Sequence, residues 1–166
     1  MTPRQYLGLS FGIILLLAVW ARIKCWTCDY ISHTLPHIPY PTVVLGTLVA
    51  MLLFWSGTQN MCTPKHPPSF HLGLVLVTAT LGLTLLVTIR MARRTHWALA
   101  MIGYAGLLGL LWWDAVIMDR SQIPLVALAV VLVLQLLCFA AGMHGPGAVA
   151  QLGVTIGLWG YILCLL

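Results

Sequence analysis

Apolar residues gather in six long runs along the chain, and polar residues are mostly confined to the breaks between them. The runs cover residues 6–23, 40–57, 70–89, 97–118, 123–142 and 147–166. A helix needs about 20 apolar residues to cross the hydrocarbon core of a bilayer, so each run has the length of one crossing. Helix breakers stand where the runs stop. Pro36, Pro39 and Pro41 stiffen the first loop, Pro64, Pro67 and Pro68 the second, Pro124 opens the fifth run, and the stretch from Gly142 to Gly147 makes the last turn. The pattern predicts an all-α integral membrane protein, a bundle of about six transmembrane helices with short loops, forming one polytopic domain over residues 1–166. No motif recurs between the first three runs and the last three, so an inverted repeat of the transporter kind is not visible.

Composition strengthens this reading. Apolar residues make up 61% of the chain and charged residues 7%, whereas soluble domains carry about 25% charged residues. The first partner of such a chain is the lipid bilayer, and 166 residues leave little for a separate soluble domain. The net charge of +5 reflects a shortage of acids. Basic residues flank apolar runs instead of forming a stripe on a soluble fold, which argues against nucleic acid as a partner. Arg4 ahead of an apolar stretch resembles a secretion signal in order only. No small-x-small site precedes Arg22 and Lys24, so the first run reads as an uncleaved span.

Charge also orients the chain. Arg90, Arg93 and Arg94 form the one dense basic cluster, and clustered arginines in a short loop favour the cytoplasmic side. With six crossings, Arg22 and Lys24 share that face, while Arg4, Lys65 and Arg120 share the other. Residues 90–96 are therefore expected in the cytoplasm, with both termini across the membrane. The sequence names no particular membrane.

Small residues spaced four apart mark faces where helix backbones approach in lipid. Gly8 and Gly12 fit in the first run, Gly103, Gly106 and Gly109 crowd the fourth, and Gly153 and Gly157 fit in the sixth. Internal packing of one bundle is the plainest use of such faces; self-association or docking to another membrane protein is the other. Thr80, Thr84 and Thr88 put three hydroxyls on one stripe of the third run, suited to packing or to a hydrated path. Asp114 lies 17 residues after Trp97, about 26 Å along a helix rising about 1.5 Å per residue. That places it at the far interface, beside the belt residues Trp112 and Trp113 and within reach of Arg120. Gln135, deeper in the fifth run, reads as a polar tether between helices or as part of the same path.

The first loop carries Cys25, Cys28, His33 and His37. These form a tetrahedral donor set for zinc, although Pro36 breaks any helix that would carry both histidines. Cys25 and Cys28 also have the spacing of a redox pair and the juxtamembrane setting of palmitoylated cysteines, or they are simply small interfacial residues. No other cofactor is indicated. The histidines lie in loops or at span ends, and three acids are too few for a paired-metal site.

Two functions compete on this basis. The leading expectation is a non-enzymatic accessory, assembly or signalling component working through its helix faces. The alternative is a small transporter or channel, with Thr80, Thr84, Thr88, Asp114 and Gln135 along its path. Thiol or zinc chemistry at Cys25 and Cys28 is a third.

Overall fold

The computed structural model of the chain describes residues 1–24, 35–59, 64–87 and 89–165. Six long helices account for nearly all of them: α1 Pro3–Lys24, α2 Tyr40–Thr58, α3 Pro68–Leu86, α4 Ile89–Ile117, α5 Ile123–Ala140 and α6 His144–Leu165. A 3₁₀ turn at Leu35–His37 precedes α2, and the described residues include no strand. Helices α1, α2, α3 and α5, with the Arg94–Ile117 part of α4, are long and apolar enough to cross a membrane. The apolar part of α6, Val149–Leu165, is shorter.

Proline sets where several helices begin. Pro41, Pro68 and Pro124 occupy the first turns of α2, α3 and α5, where the absent N–H has no intrahelical acceptor to lose and φ is already helical. This shifts α3 earlier than its apolar run, which starts at residue 70. The same helix stops at Leu86, short of residue 89, because Val87 is extended (φ −81°, ψ 85°). Beyond it, an extended Ala92 (φ −157°, ψ 86°) separates the first turn of α4 from its long apolar part.

Two helices end in the same hydrogen-bonded motif. After α4, Asp119 takes a left-handed conformation (φ 53°), its N–H donates to the Val116 carbonyl, and the Arg120 N–H donates to that of Ala115. After α5, Gly142 is left-handed (φ 67°), and Gly142 and Met143 donate to Phe139 and Cys138. Both are Schellman ends, which satisfy the last carbonyls of a helix before the chain reverses.

Sequence neighbours pack as antiparallel pairs, α1 on α2, α3 on α4 and α5 on α6, and α2 also packs on α3. The main core joins Leu7, Phe54, Phe70, Leu74, Leu111 and Leu158, and a second cluster forms around Leu17, Ala21, Ile38 and Val43. Close approach requires glycine at Gly57, where a Cβ would stand 2.6 Å from Leu7 Cγ and 3.1 Å from the Pro3 carbonyl. The outside of the bundle is apolar as well: Leu16, Leu45, Leu52, Ile102 and Ile123 are exposed, the last at 78%.

Candidate functional site

Half of the buried polar side chains among the described residues gather in one place. A cavity of about 120 Å³ between α1, α2, α3, α4 and α6 is lined by the hydroxyls of Ser10, Thr78, Thr84, Tyr104 and Thr155. A neighbouring chamber of about 100 Å³ shares Thr84, Tyr104 and Thr155 with it and extends to His96 and Gln151. The rest of both walls is mainly aliphatic and aromatic, with Phe54 and Trp159 on the first cavity and Phe11 on the second.

A hydroxyl brings one proton and two lone pairs, and in this cleft the protons are already committed. Ser10 donates to the Ala50 carbonyl across the α1–α2 contact at 2.7 Å. Thr78 and Thr84 donate to the carbonyls of Leu74 and Thr80 one turn back, at 2.7 and 2.9 Å, and Thr155 donates to Gln151 at 2.8 Å. Tyr104 Oη lies 3.0 Å from Thr155 Oγ1. Since the Thr155 proton is spent on Gln151, Tyr104 is the donor in that pair.

What the hydroxyls keep for an occupant is acceptor capacity. Each hydroxyl oxygen keeps at least one lone pair. Gln151 Oε1 is buried without a hydrogen-bond partner among the described residues. His96 Nδ1 is 2.7 Å from the Val87 carbonyl, which only accepts, so Nδ1 carries the proton and the neutral ring's lone pair falls on Nε2. The cleft is thus mostly apolar, aromatic on one side and edged by acceptors.

A second polar cluster stands toward the opposite end of α4. Asp114 is 2% exposed, and its Oδ1 lies 3.0 Å from His66 Nε2 in the turn before α3. Arg120 Nη1 is 3.8 Å from Oδ2, too long for a hydrogen bond. Tyr161 on α6 is within electrostatic range of both Asp114 and Arg120. His66 is held against Phe70 with ring centroids 4.3 Å apart, and Phe70 meets Trp113 edge-on at 5.9 Å. Leu107 and Leu111, on the α4 turns between cleft and cluster, belong to the apolar core.

The sequence-predicted residues divide between these places. Thr84 lines both chambers, whereas Thr80 lies outside them and donates to the Leu76 carbonyl. Thr88 is outside the described residues, as are Cys25, Cys28 and His33; His37 is exposed in the 3₁₀ turn. The described residues contain no group of three metal-ligating side chains. Gly103 and Gly106 let Leu81 and Val77 of α3 close on α4, Gly157 receives Leu128, and Gly153 is in ordinary contact with Val131. Gly8, Gly12 and Gly109 have no atom within 4 Å of a would-be Cβ. Arg94 is exposed, and the side chains of Arg90 and Arg93 lie outside the described part. Gln135 is buried on α5, away from the cleft.

Sequence reading missed Ser10, Tyr104, Gln151 and Thr155 as a group, and His66 as the partner of Asp114. The available signal was positional: each of the four is an isolated polar residue within an apolar run. Gly46-x3-Ala50 also had the small-residue spacing, and a Cβ at Gly46 would come within 2.8 Å of Leu17. No family model, curated protein or solved structure matches the chain.

Proposed function

We propose that the chain is a multi-pass membrane protein with six crossings, a small carrier that takes a lipophilic hydrogen-bond donor, an amine or an alcohol, into the cleft between α1, α4 and α6. Leucine, isoleucine and valine on the outside with hydroxyls and amides inside is the arrangement expected in lipid, where backbone and side-chain polar groups must be satisfied internally. The observation that carries the choice of occupant is the spent donors of Ser10, Thr78, Thr84, Tyr104 and Thr155. A ligand with N–H or O–H groups finds acceptors there, whereas the hydroxyls have no proton left for a pure acceptor. Aromatic faces at Phe54 and Trp159 suit a cationic amine further.

Benzylamine binding to the chain in nanodiscs, measured by calorimetry beside toluene, tests this. Tyr104→Phe and Thr84→Val keep shape and remove one acceptor each, so each is expected to weaken benzylamine by about tenfold, one net hydrogen bond, and to leave toluene unchanged. Counterflow of benzylamine in proteoliposomes tests the carrier step. Benzylamine bound no better than toluene, or indifferent to both substitutions, would refute the proposal.

A second reading, an accessory or assembly component that docks on another membrane protein or on its own copy, is supported by α1. Gly8 is exposed and Gly12 half-buried, with open space where each Cβ would stand, which leaves the outer face of α1 free to receive a helix. Light scattering in mild detergent tests its self-association form: Gly8→Leu and Gly12→Leu should dissociate a complex, and a parent protein already monomeric removes self-association.

A further inference from the structure

Two buried side chains on the second chamber keep reachable polar atoms with nothing bonded to them. The Gln135 amide is the contrast: it is fully buried, and neither of its atoms has a hydrogen-bond partner among the described residues. His96 is 2% exposed, and its Nδ1–H is held by the Val87 carbonyl at 2.7 Å. Its Nε2 has no partner among the described residues either, yet it is not sealed off. Gln151, 8% exposed, buries its Oε1 completely while Nε2 keeps open surface and makes no bond. From the Tyr104–Thr155 hydrogen bond that joins α4 to α6, the chamber extends toward the N-terminal ends of both helices, to His96 on one and Gln151 on the other. A reachable lone pair and a reachable N–H thus share a space of about 100 Å³, below the roughly 150 Å³ that holds benzene. Such a space takes a polar head and its first carbons, and a longer chain has to leave it.

The way out is lateral. Leu15 of α1 and Leu152 and Ile156 of α6 line the chamber and are 44%, 41% and 49% exposed, and α1 and α6 meet only lightly. In the six-crossing reading this apolar seam opens on lipid. His96 lies at the start of the apolar part of α4, Arg94–Ile117, so a head bound there sits near the interface and its chain follows α1 and α6 into the bilayer.

The wall also sorts the head. No Asp or Glu lines either chamber, so an ammonium beside His96 would be buried without a counter-charge, at high cost, and would meet the Gln151 N–H. The aromatic faces that suit an amine, Phe54 and Trp159, belong to the first cavity. An alcohol is neutral and carries a donor and an acceptor on one oxygen. Its O–H donates to His96 Nε2, and its lone pair accepts from Gln151 Nε2.

We infer that the seam between α1 and α6 is a lateral portal for single-chain, lipid-soluble alcohols, whose hydroxyl is bound by His96 and Gln151. The inference rests on the carrier reading only in that the cleft takes a ligand; it adds the route, the head group and the two residues that select it.

The test is photolabelling of the full chain in nanodiscs by a decanol carrying a diazirine in its chain, mapped by mass spectrometry, with decanol and decyl methyl ether as competitors at equal mole fraction in the bilayer. Labels should fall on α1 and α6 around Leu15 and Ile156, and decanol should compete about tenfold better than the ether, which lacks the proton of one net hydrogen bond. His96→Asn keeps a side-chain N–H for the Val87 carbonyl and removes Nε2, so it should weaken decanol by about tenfold and bring it level with the ether. Gln151→Leu should weaken decanol by about the same factor. Leu152→Trp covers the seam with both polar residues intact and should abolish the labels. The comparison is made on variants that unfold in SDS as the parent does. Labels spread evenly over the helices, or surviving Leu152→Trp, overturn the inference, as does an ether that competes as well as decanol, or decanol competition untouched by His96→Asn or by Gln151→Leu. The carrier reading fails separately: benzylamine bound no better than toluene leaves the decanol result standing, and evenly spread labels leave the benzylamine result standing.

Discussion

Replacing His66 with alanine should be among the most destabilising single changes in the chain. His66 and Asp114 have side chains 0% and 3% exposed, and they connect the turn before α3 to the C-terminal part of α4. Removing one partner of a buried polar pair leaves the other uncompensated, at a cost of about 3–5 kcal/mol. Arg120 Nη1 at 3.8 Å, on a side chain 32% exposed, is a weak substitute partner and returns about 1 kcal/mol. His66→Ala is therefore expected to cost about 2–4 kcal/mol, including the contact with Phe70. Replacing both residues with leucine should cost far less, about 1 kcal/mol or nothing, because no buried polar group is left behind. Unfolding by SDS in bicelles, followed by tryptophan fluorescence, measures all four members of the His66→Leu and Asp114→Leu cycle alongside His66→Ala. Refutation takes either of two forms: His66→Ala within about 0.5 kcal/mol of the parent, the usual range of inert substitutions, or a double variant as unstable as the sum of the singles, which would make shape and not polarity the source of the effect.

Other expectations follow from local geometry. Gly57→Ala should destabilise by about 1–3 kcal/mol through overpacking, since the Pro3 carbonyl 3.1 Å away is backbone and yields less readily than a side chain; SDS unfolding reads it directly. Asp119→Gly should stabilise and Gly142→Ala destabilise, each by about 1 kcal/mol, because both sites are left-handed (φ 53° and 67°) and a Cβ is unfavourable there. Opposite signs in the same assay are the check. Gln135→Leu should raise stability by about 1–3 kcal/mol, the desolvation penalty of an unpaired polar group, and a destabilised variant would mean that the amide has a partner already.

The limits of sequence reading here follow from the period of the structures involved. Six apolar runs foretold six helices because the length of a run and the breakers beside it are local properties. Boundaries differ where proline acts in two ways: Pro68 has the pattern of loop material but starts α3, since the residue that stops one helix is also suited to begin the next. Pairing across the bundle is not local: spacing points Asp114 to Arg120, six positions on, while His66, 48 residues earlier, holds the shorter contact. Thr80, Thr84 and Thr88 share a stripe by spacing, but a cavity is bounded by several helices and samples each at its own phase. It takes Thr84 with Thr78 from α3, Tyr104 from α4 and Thr155 from α6. What could have been drawn from the sequence is a weaker rule of the same physics. Within an apolar run a lone polar residue that faces lipid is costly, so Ser10, Tyr104, Gln135, Gln151 and Thr155 are each expected to point inward, and three or more helices doing so imply either a common interior site or separate ones. The hydroxyls take the first arrangement, and Gln135, at the α4–α5 contact, takes the second.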